Sequence, residues 1–162
     1  MPRQPDCGTL ARMQHSYLMR VPFGDVDHAG IAYYPRVFHY FHVAYEDFFH
    51  EVLKMPFQRF FEEGRGAPIV RCEADFLAPL AHGMKIEVRC WIEKLGNRSW
   101  TWIFEIRDTE DPDAIEPRVR GRVTKVFVDL DTMKSEPLDP KVRALVLPYV
   151  EEPSAPAAGE HP

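Results

Sequence analysis

No stretch of this 162-residue sequence approaches the roughly 20 consecutive apolar residues that a membrane-crossing helix requires. Nor does the N-terminus show the charged-then-apolar pattern of an export signal, so a cytoplasmic location is expected. Basic residues are in the minority, with 20 Lys and Arg against 25 Asp and Glu. The net charge of −5 argues against a general nucleic-acid binder. Cysteine is scarce. Cys7, Cys72 and Cys90 are odd in number and show no C-x-x-C spacing, which excludes a disulfide framework or a thiolate zinc site and leaves reduced thiols. Cys72 and Cys90 fall in strand-like runs and are expected as small core residues. Internal repeats are absent, as is any linker that would divide the middle of the chain.

What is present is enough apolar residue, 45% of the chain, for one domain with one core. That domain is expected over 13–150. Residues 1–12, with Pro2, Pro5 and Gly8, read as a flexible N-terminal segment. Residues 151–162, rich in Pro and Ala, read as a disordered tail. Between them, Gln14 to Val21 suits a first strand. Val37, Phe38, Phe41, Tyr45, Phe48, Phe49 and Val52 then recur at helical spacing. Pro35 fits the first turn of that helix and Pro56 lies beyond its end. Gln58 to Gly66 reads as a short helical turn and loop. Strands follow over Ala67 to Leu77, Ile86 to Ile92, Trp100 to Ile106 and Arg118 to Leu130. A Gly96-Asn97 hairpin joins the second and third of these. Asp139-Pro140 reads as the cap and first turn of a short helix ending near Leu147. A single aromatic-rich helix cannot bury itself. The expected α+β fold therefore wraps a curved antiparallel sheet of about five strands around a long central helix. Trp91 and Ile103 fall on the sheet's outer face, which suggests that this face has a partner, and exposed strand edges favour dimerisation.

The chemistry concentrates in Val21-Pro-Phe-Gly-Asp-Val-Asp-His-Ala-Gly-Ile-Ala-Tyr-Tyr-Pro35. Asp25 and Asp27 stand in a Gly-flanked turn that runs into the long helix. A helix N-terminus offers unpaired N–H groups that can bind an oxyanion while a nearby carboxylate attacks or activates water. The plainer role for such aspartates is to cap the helix and shape the turn, and Asp25 reads mainly that way.

Motif and element order together resemble the hot-dog-fold acyl-CoA thioesterases, most closely the aspartate-dependent branch of the 4-hydroxybenzoyl-CoA thioesterase family. The likeness runs from about His15 to Val128. Its sharpest part is Phe23-Gly24-Asp25-x-Asp27-x-Ala29-Gly30-Ile31 followed by Tyr34-Pro35. Ala67-Pro68-Ile69-Val70 and Asn97-Arg98-Ser99-Trp100 support it. The resemblance implies hydrolysis of a CoA thioester to free acid and CoA, with an aromatic acyl group such as benzoyl or hydroxybenzoyl favoured. It makes Asp27 the catalytic carboxylate, as nucleophile or as general base, and Tyr34 the residue whose backbone N–H holds the thioester carbonyl. It implies no metal and no cofactor. It places the sites at a homodimer interface, with dimers often paired into a tetramer. Many relatives carry Glu or Asp on the helix about eight residues after the tyrosine, where this chain has His42.

Other side chains are weighed on their own chemistry. His28, next to Asp27, is a possible auxiliary that tunes the carboxylate or assists the leaving thiolate, or simply a turn residue. His39, His42 and His50 invite a metal reading, but no further ligand completes a recognisable set. A CoA tail needs cations at the pocket mouth. Arg98 is the leading candidate, with Lys94 and Lys125 behind it. The alternatives to the aromatic thioesterase are an enzyme for short-chain acyl-CoA or acyl-carrier-protein substrates, and a non-catalytic acyl-CoA-binding sensor. Asp27 speaks against the sensor, since a pure binder has no use for a carboxylate facing the carbonyl.

Overall fold

The computed structural model describes residues 12–111 and 113–151. Cys7 and nearly all of the two terminal segments lie outside the described residues.

Strand β1 (His15–Arg20) leads through a short 3₁₀ turn (Phe23–Asp25) into α1 (Tyr34–Glu51). Pro35 sits in the first turn of α1, and the stripe Val37, Tyr40, Phe41, Ala44, Tyr45, Phe48 and Phe49 is buried. The helix ends before Pro56, which caps the short α2 (Phe57–Glu62). Then come β2 (Arg65–Gly66), β3 (Ile69–Phe76), β4 (Lys85–Leu95), β5 (Ser99–Asp108), β6 (Val119–Val126), β7 (Val128–Asp129) and α3 (Pro140–Val146). The main sheet is antiparallel, in the order β1-β4-β5-β6-β3. Two register shifts, at Ile69/Arg71 and at Ile92/Lys94, interrupt its ladders. None of the described helices is long and apolar enough to cross a membrane.

Period-two alternation gives the sheet two chemically distinct faces. Ile86, Val88, Cys90 and Ile92 of β4, with Trp100, Trp102, Phe104 and Ile106 of β5, belong to the buried core shared with α1. Phe41 stacks on Phe104 at 4.9 Å, while Phe48 and Tyr45 meet Trp102 edge-on at 4.9 and 5.3 Å. Each such pair adds about 0.5–1.5 kcal/mol beyond area burial. The opposite face is laced with ion pairs. Glu105 accepts from both Arg107 and Arg120, and Arg122 pairs with Glu93. Burial pushes the Glu105 carboxyl up, but those two guanidinium groups outweigh it and hold the group below its ordinary range.

Four expectations need correction. The run from Arg118 to Leu130 is not one strand. It breaks at Phe127, whose ring turns inward against Trp100 at 4.7 Å, and β7 then pairs with β2 in a separate small sheet. Cys90 is a core residue, but Cys72 is exposed, because β3 is an edge strand with seven of its eight residues exposed. Trp91 is covered from within the chain. The Arg12 guanidinium lies 4.2 Å from its ring centre and Glu151 accepts from its indole N–H. Lys125, offered as a cation at the mouth of a CoA pocket, is only 5% exposed and shares the helix-facing phase of β6 with Val123. The Asp139 cap is as read, its side chain accepting from Lys141 N–H at 2.7 Å.

Gly121 of β6 lies directly under the Phe41 ring, and a Cβ there would overlap ring atoms. Gly121→Ala should therefore destabilise the fold by about 1–3 kcal/mol. Phe41→Leu in the same chain should recover part of that loss. Urea unfolding of the two single variants and the double variant measures the coupling, and simple additivity would contradict the contact.

Candidate active site

Between β1 and α1 the backbone folds into a small hairpin. Val26 bridges Ala32, and Asp27 N–H donates to the Ile31 carbonyl at 2.9 Å. Its tip is the four-residue turn Asp27-His28-Ala29-Gly30, closed by Gly30 N–H to the Asp27 carbonyl at 2.9 Å. Gly30 has φ +79°, a conformation that a side chain would oppose. Asp27 Oδ1 accepts from Ala29 N–H at 2.8 Å, which fixes the carboxylate relative to the turn. Its other oxygen has no partner among the described residues.

Asp25 ties this turn to the helix. Its side chain is mostly buried. One oxygen accepts from the Tyr40 hydroxyl at 2.9 Å, the other lies 3.3 Å from Arg36 Nε, and its carbonyl accepts from Tyr33 N–H at 2.8 Å. Burial, reinforced by the bond to Asp25, pushes the Tyr40 phenol well above its usual range, so it remains a donor. Tyr40 and Arg36 both stand on α1, so the aspartate is held from two places on one rigid element.

The start of α1 is left open. Tyr33 at the cap makes no side-chain capping bond, no acidic residue occupies the first turn, and Pro35 has no N–H. Tyr34 N–H has no hydrogen-bond partner among the described residues. No side chain of the helix's own first turn therefore compensates the positive end of its dipole where it meets the hairpin. Asp27 and Tyr34 both line one cleft of about 500 Å³, with Val37, Phe76, Leu77 and Pro79 among its apolar walls. An anionic oxygen attacking a carbonyl, and an N–H to receive the charge that develops, are the two elements this arrangement brings together.

The other sequence-derived candidates lie elsewhere. His28 is exposed on the turn and does not line the cleft. Arg98, exposed on the loop between β4 and β5, donates to the carbonyl and hydroxyl of Ser135. Lys94 is exposed on β4, and Lys125 lines a different groove. His39 and His50 are exposed, while His42 Nε2 lies 2.8 Å from Glu46 one turn further along α1. The Tyr40–Asp25 bond was not announced in the sequence, since Tyr40 lies outside the apolar stripe read there and joins the buried face only in the structure. The unusual position of Lys125 was legible in one respect, since it continues the alternating series Val119, Gly121, Val123.

Residues 21–146 match the family model of the thioesterase-like superfamily. The chain is 25% identical over 119 residues to the 1,4-dihydroxy-2-naphthoyl-CoA hydrolase of Prochlorococcus marinus subsp. pastoris, covering 70% of this chain and 75% of that protein. It is 31% identical over 99 residues to the protein of the same name from Nostoc punctiforme, covering 60% and 66%. Among solved structures, a gentisyl-coenzyme A thioesterase superposes with a TM-score of 0.70 at 26% identity, covering 79% of this chain and 98% of that one. A 1,4-dihydroxy-2-naphthoyl-CoA thioesterase from Synechocystis superposes with a TM-score of 0.75 at 23% identity, covering 83% and 96%, a likeness of fold. The relatives named here are thioester hydrolases, and with its hot-dog fold and a family match spanning most of its length the chain belongs to the thioesterase-like superfamily.

Proposed function

We propose that this protein hydrolyses an aromatic acyl-CoA thioester, with Asp27 supplying or activating the oxygen nucleophile and Tyr34 N–H receiving the carbonyl oxygen. The observation that carries this reading is the meeting of a turn-fixed carboxylate and an uncapped helix N-terminus in one apolar cleft. A thioester carbonyl seated there has its oxygen against a fixed dipole, whose stabilising effect grows as the tetrahedral intermediate gains charge. Asp27 then either attacks the carbonyl carbon, expelling CoA thiolate and leaving an acyl-aspartate anhydride for water to open, or removes a proton from an attacking water. Asp25 is a positioning residue, reaching the chemistry only through the hairpin. The aromatic preference is supported by the apolar walls of the cleft and by the aromatic acyl groups in the names of the relatives. Arg98 and Lys94, both exposed, are the cations assigned to the CoA phosphates, and His28 is the candidate for assisting the leaving thiolate.

The site extends naturally to a second copy of the chain. The outer edge of β3 is unpaired among the described residues and carries exposed Ile69, Val70 and Phe76. An edge of that length and apolarity is a template for another strand. Since Phe76 also lines the cleft, pairing of two β3 edges would set the cleft at the seam of a homodimer, and pairing of dimers would give a tetramer. Sedimentation velocity of the full chain should return a dimer or tetramer mass, and Val70→Glu should shift it toward the monomer. A monomeric wild type would exclude this assembly.

Thiol release from benzoyl-, 4-hydroxybenzoyl-, 1,4-dihydroxy-2-naphthoyl-, acetyl- and palmitoyl-CoA tests the reaction and its range. The aromatic esters should turn over with the highest kcat/KM. Asp27→Asn should fold normally and lose turnover by at least about 10²–10⁴-fold. A variant retaining most of the wild-type rate removes Asp27 from the chemistry. Binding without turnover of any ester by the wild type would favour a sensor.

A further inference from the structure

The hairpin that carries Asp27 rests on two bodies. Asp25 ties it to α1. Its other strand leans on the segment 77–81, which leaves the end of β3 and leads toward β4. Ala32 N–H donates to the Leu80 carbonyl at 2.7 Å, and Ile31 pairs with Ala81 in an antiparallel bridge. Ile31 is also the residue whose carbonyl accepts from Asp27 N–H. Leu77 and Pro79 line the Asp27 cleft. The segment is therefore a wall of the cleft and also a support of the turn that presents the carboxylate. Apart from the Ala81 bridge it has no regular structure, so its path is fixed by what it touches. Leu80 is buried in the core and anchors the far end.

Arg118 anchors the near end. Its N–H donates to the Ile106 carbonyl of β5 at 2.8 Å, which holds it to the sheet. Its carbonyl accepts from Leu77 N–H and from Ala78 N–H, each at 2.9 Å. Its guanidinium forks. Nη1 donates to the Pro79 carbonyl at 2.9 Å, and Nη2 donates to Asp108 Oδ2 at 2.9 Å. Asp108 ends β5, its side chain is mostly buried, and its other oxygen accepts from Glu110 N–H at 2.9 Å. Three consecutive residues of the cleft wall are thus bonded to one arginine, whose head is oriented by a carboxylate on the sheet. A planar fork of this kind holds both acceptors in one geometry. The clamp sits in a groove of about 410 Å³ on the sheet face remote from α1, and Leu77 and Ala78 line both this groove and the Asp27 cleft. Ion pairs open to solvent contribute little to stability. This one bears on position instead, because a shift of about an ångström at reacting groups can cost about a hundredfold in rate.

We propose that Arg118, oriented by Asp108, is a positioning residue that sets the Asp27 hairpin against the sheet side of the cleft. The inference rests on the catalytic reading of Asp27. The experiment is steady-state thiol release from the aromatic CoA ester that the wild type turns over fastest. Arg118→Met should lower kcat by about tenfold or more and change KM by less than about threefold. Arg118→Lys, which keeps the charge but not the fork, should recover part of the loss. Arg122→Met, which removes a guanidinium of the same sheet face that touches neither the segment nor the hairpin, should keep the wild-type kcat. In the Asp27→Asn background, Arg118→Met should change the residual rate by less than about twofold, since the arginine acts through Asp27. Should Arg118→Met fail to fold by circular dichroism, Asp108→Ala leaves the arginine's backbone bonds in place and should itself lower kcat severalfold. A wild-type kcat in the folded variant overturns the proposal. So does an equal loss in Arg122→Met, which would assign the effect to the sheet at large. An undiminished loss in the Asp27→Asn background also overturns it, by showing that the arginine acts on something other than the carboxylate. Failure of the underlying reading has a different signature, a single Asp27→Asn variant that keeps most of the wild-type rate, and would remove the proposal with it.

Discussion

The bond network of Asp25 is the constraint on which the candidate active site depends. Its side chain is held by Tyr40 and Arg36, and its carbonyl by Tyr33 N–H. Those contacts lock the hairpin that carries Asp27 to the first two turns of α1. Without them, the Asp27 carboxylate and the Tyr34 N–H would belong to elements free to move relative to one another. Reaction rates fall steeply when such groups are misplaced by even an ångström. The lock rests in turn on the core, because Tyr40 lies on the helix face that packs against the sheet, next to Phe41 and its stack on Phe104.

The helix serves two chemical purposes from one sequence pattern. Its buried stripe supplies the aromatic packing that fixes its position. Its N-terminus is left uncapped: Tyr33 has no capping side chain, and Pro35 contributes no donor. A capping Ser or Asp at position 33 would stabilise the helix by about 1 kcal/mol by accepting from Arg36 N–H, but would set a competing acceptor at the helix end that the proposed reaction uses. A local rule of helix stability is broken at the point where the cleft opens, as expected when a site is built at some cost to the fold. Lys125 is a second departure of the same kind, a charge on the apolar phase of β6.

Much of the architecture was legible in the sequence because it is written in periodicity. The α1 stripe, the alternation of Ile86 to Ile92 and of Trp100 to Ile106, the Gly96-Asn97 hairpin and the Asp139 cap are local patterns with local causes. The break at Phe127 was not legible, since a β-rich run carries no mark of where it leaves one sheet for another. Cys72 was misplaced because an edge strand and a central strand share composition, and only the pairing order distinguishes them. For the site, the doublet of Asp25 and Asp27 before Tyr34-Pro35 was visible as a motif. The division of labour between the two aspartates was not. It depends on Tyr40 and Arg36, which are 15 and 11 residues beyond Asp25 and face it only once the helix has formed.

The central claim is spatial, and it is tested most directly by the structure of the Asp27→Asn protein bound to a benzoyl-CoA ketone in which a methylene replaces the thioester sulfur. The ketone oxygen should lie about 3 Å from Tyr34 N, with the residue 27 side chain facing the carbonyl carbon. A ketone oxygen directed away from the start of α1, or residue 27 turned to solvent with the ligand bound, would contradict the claim.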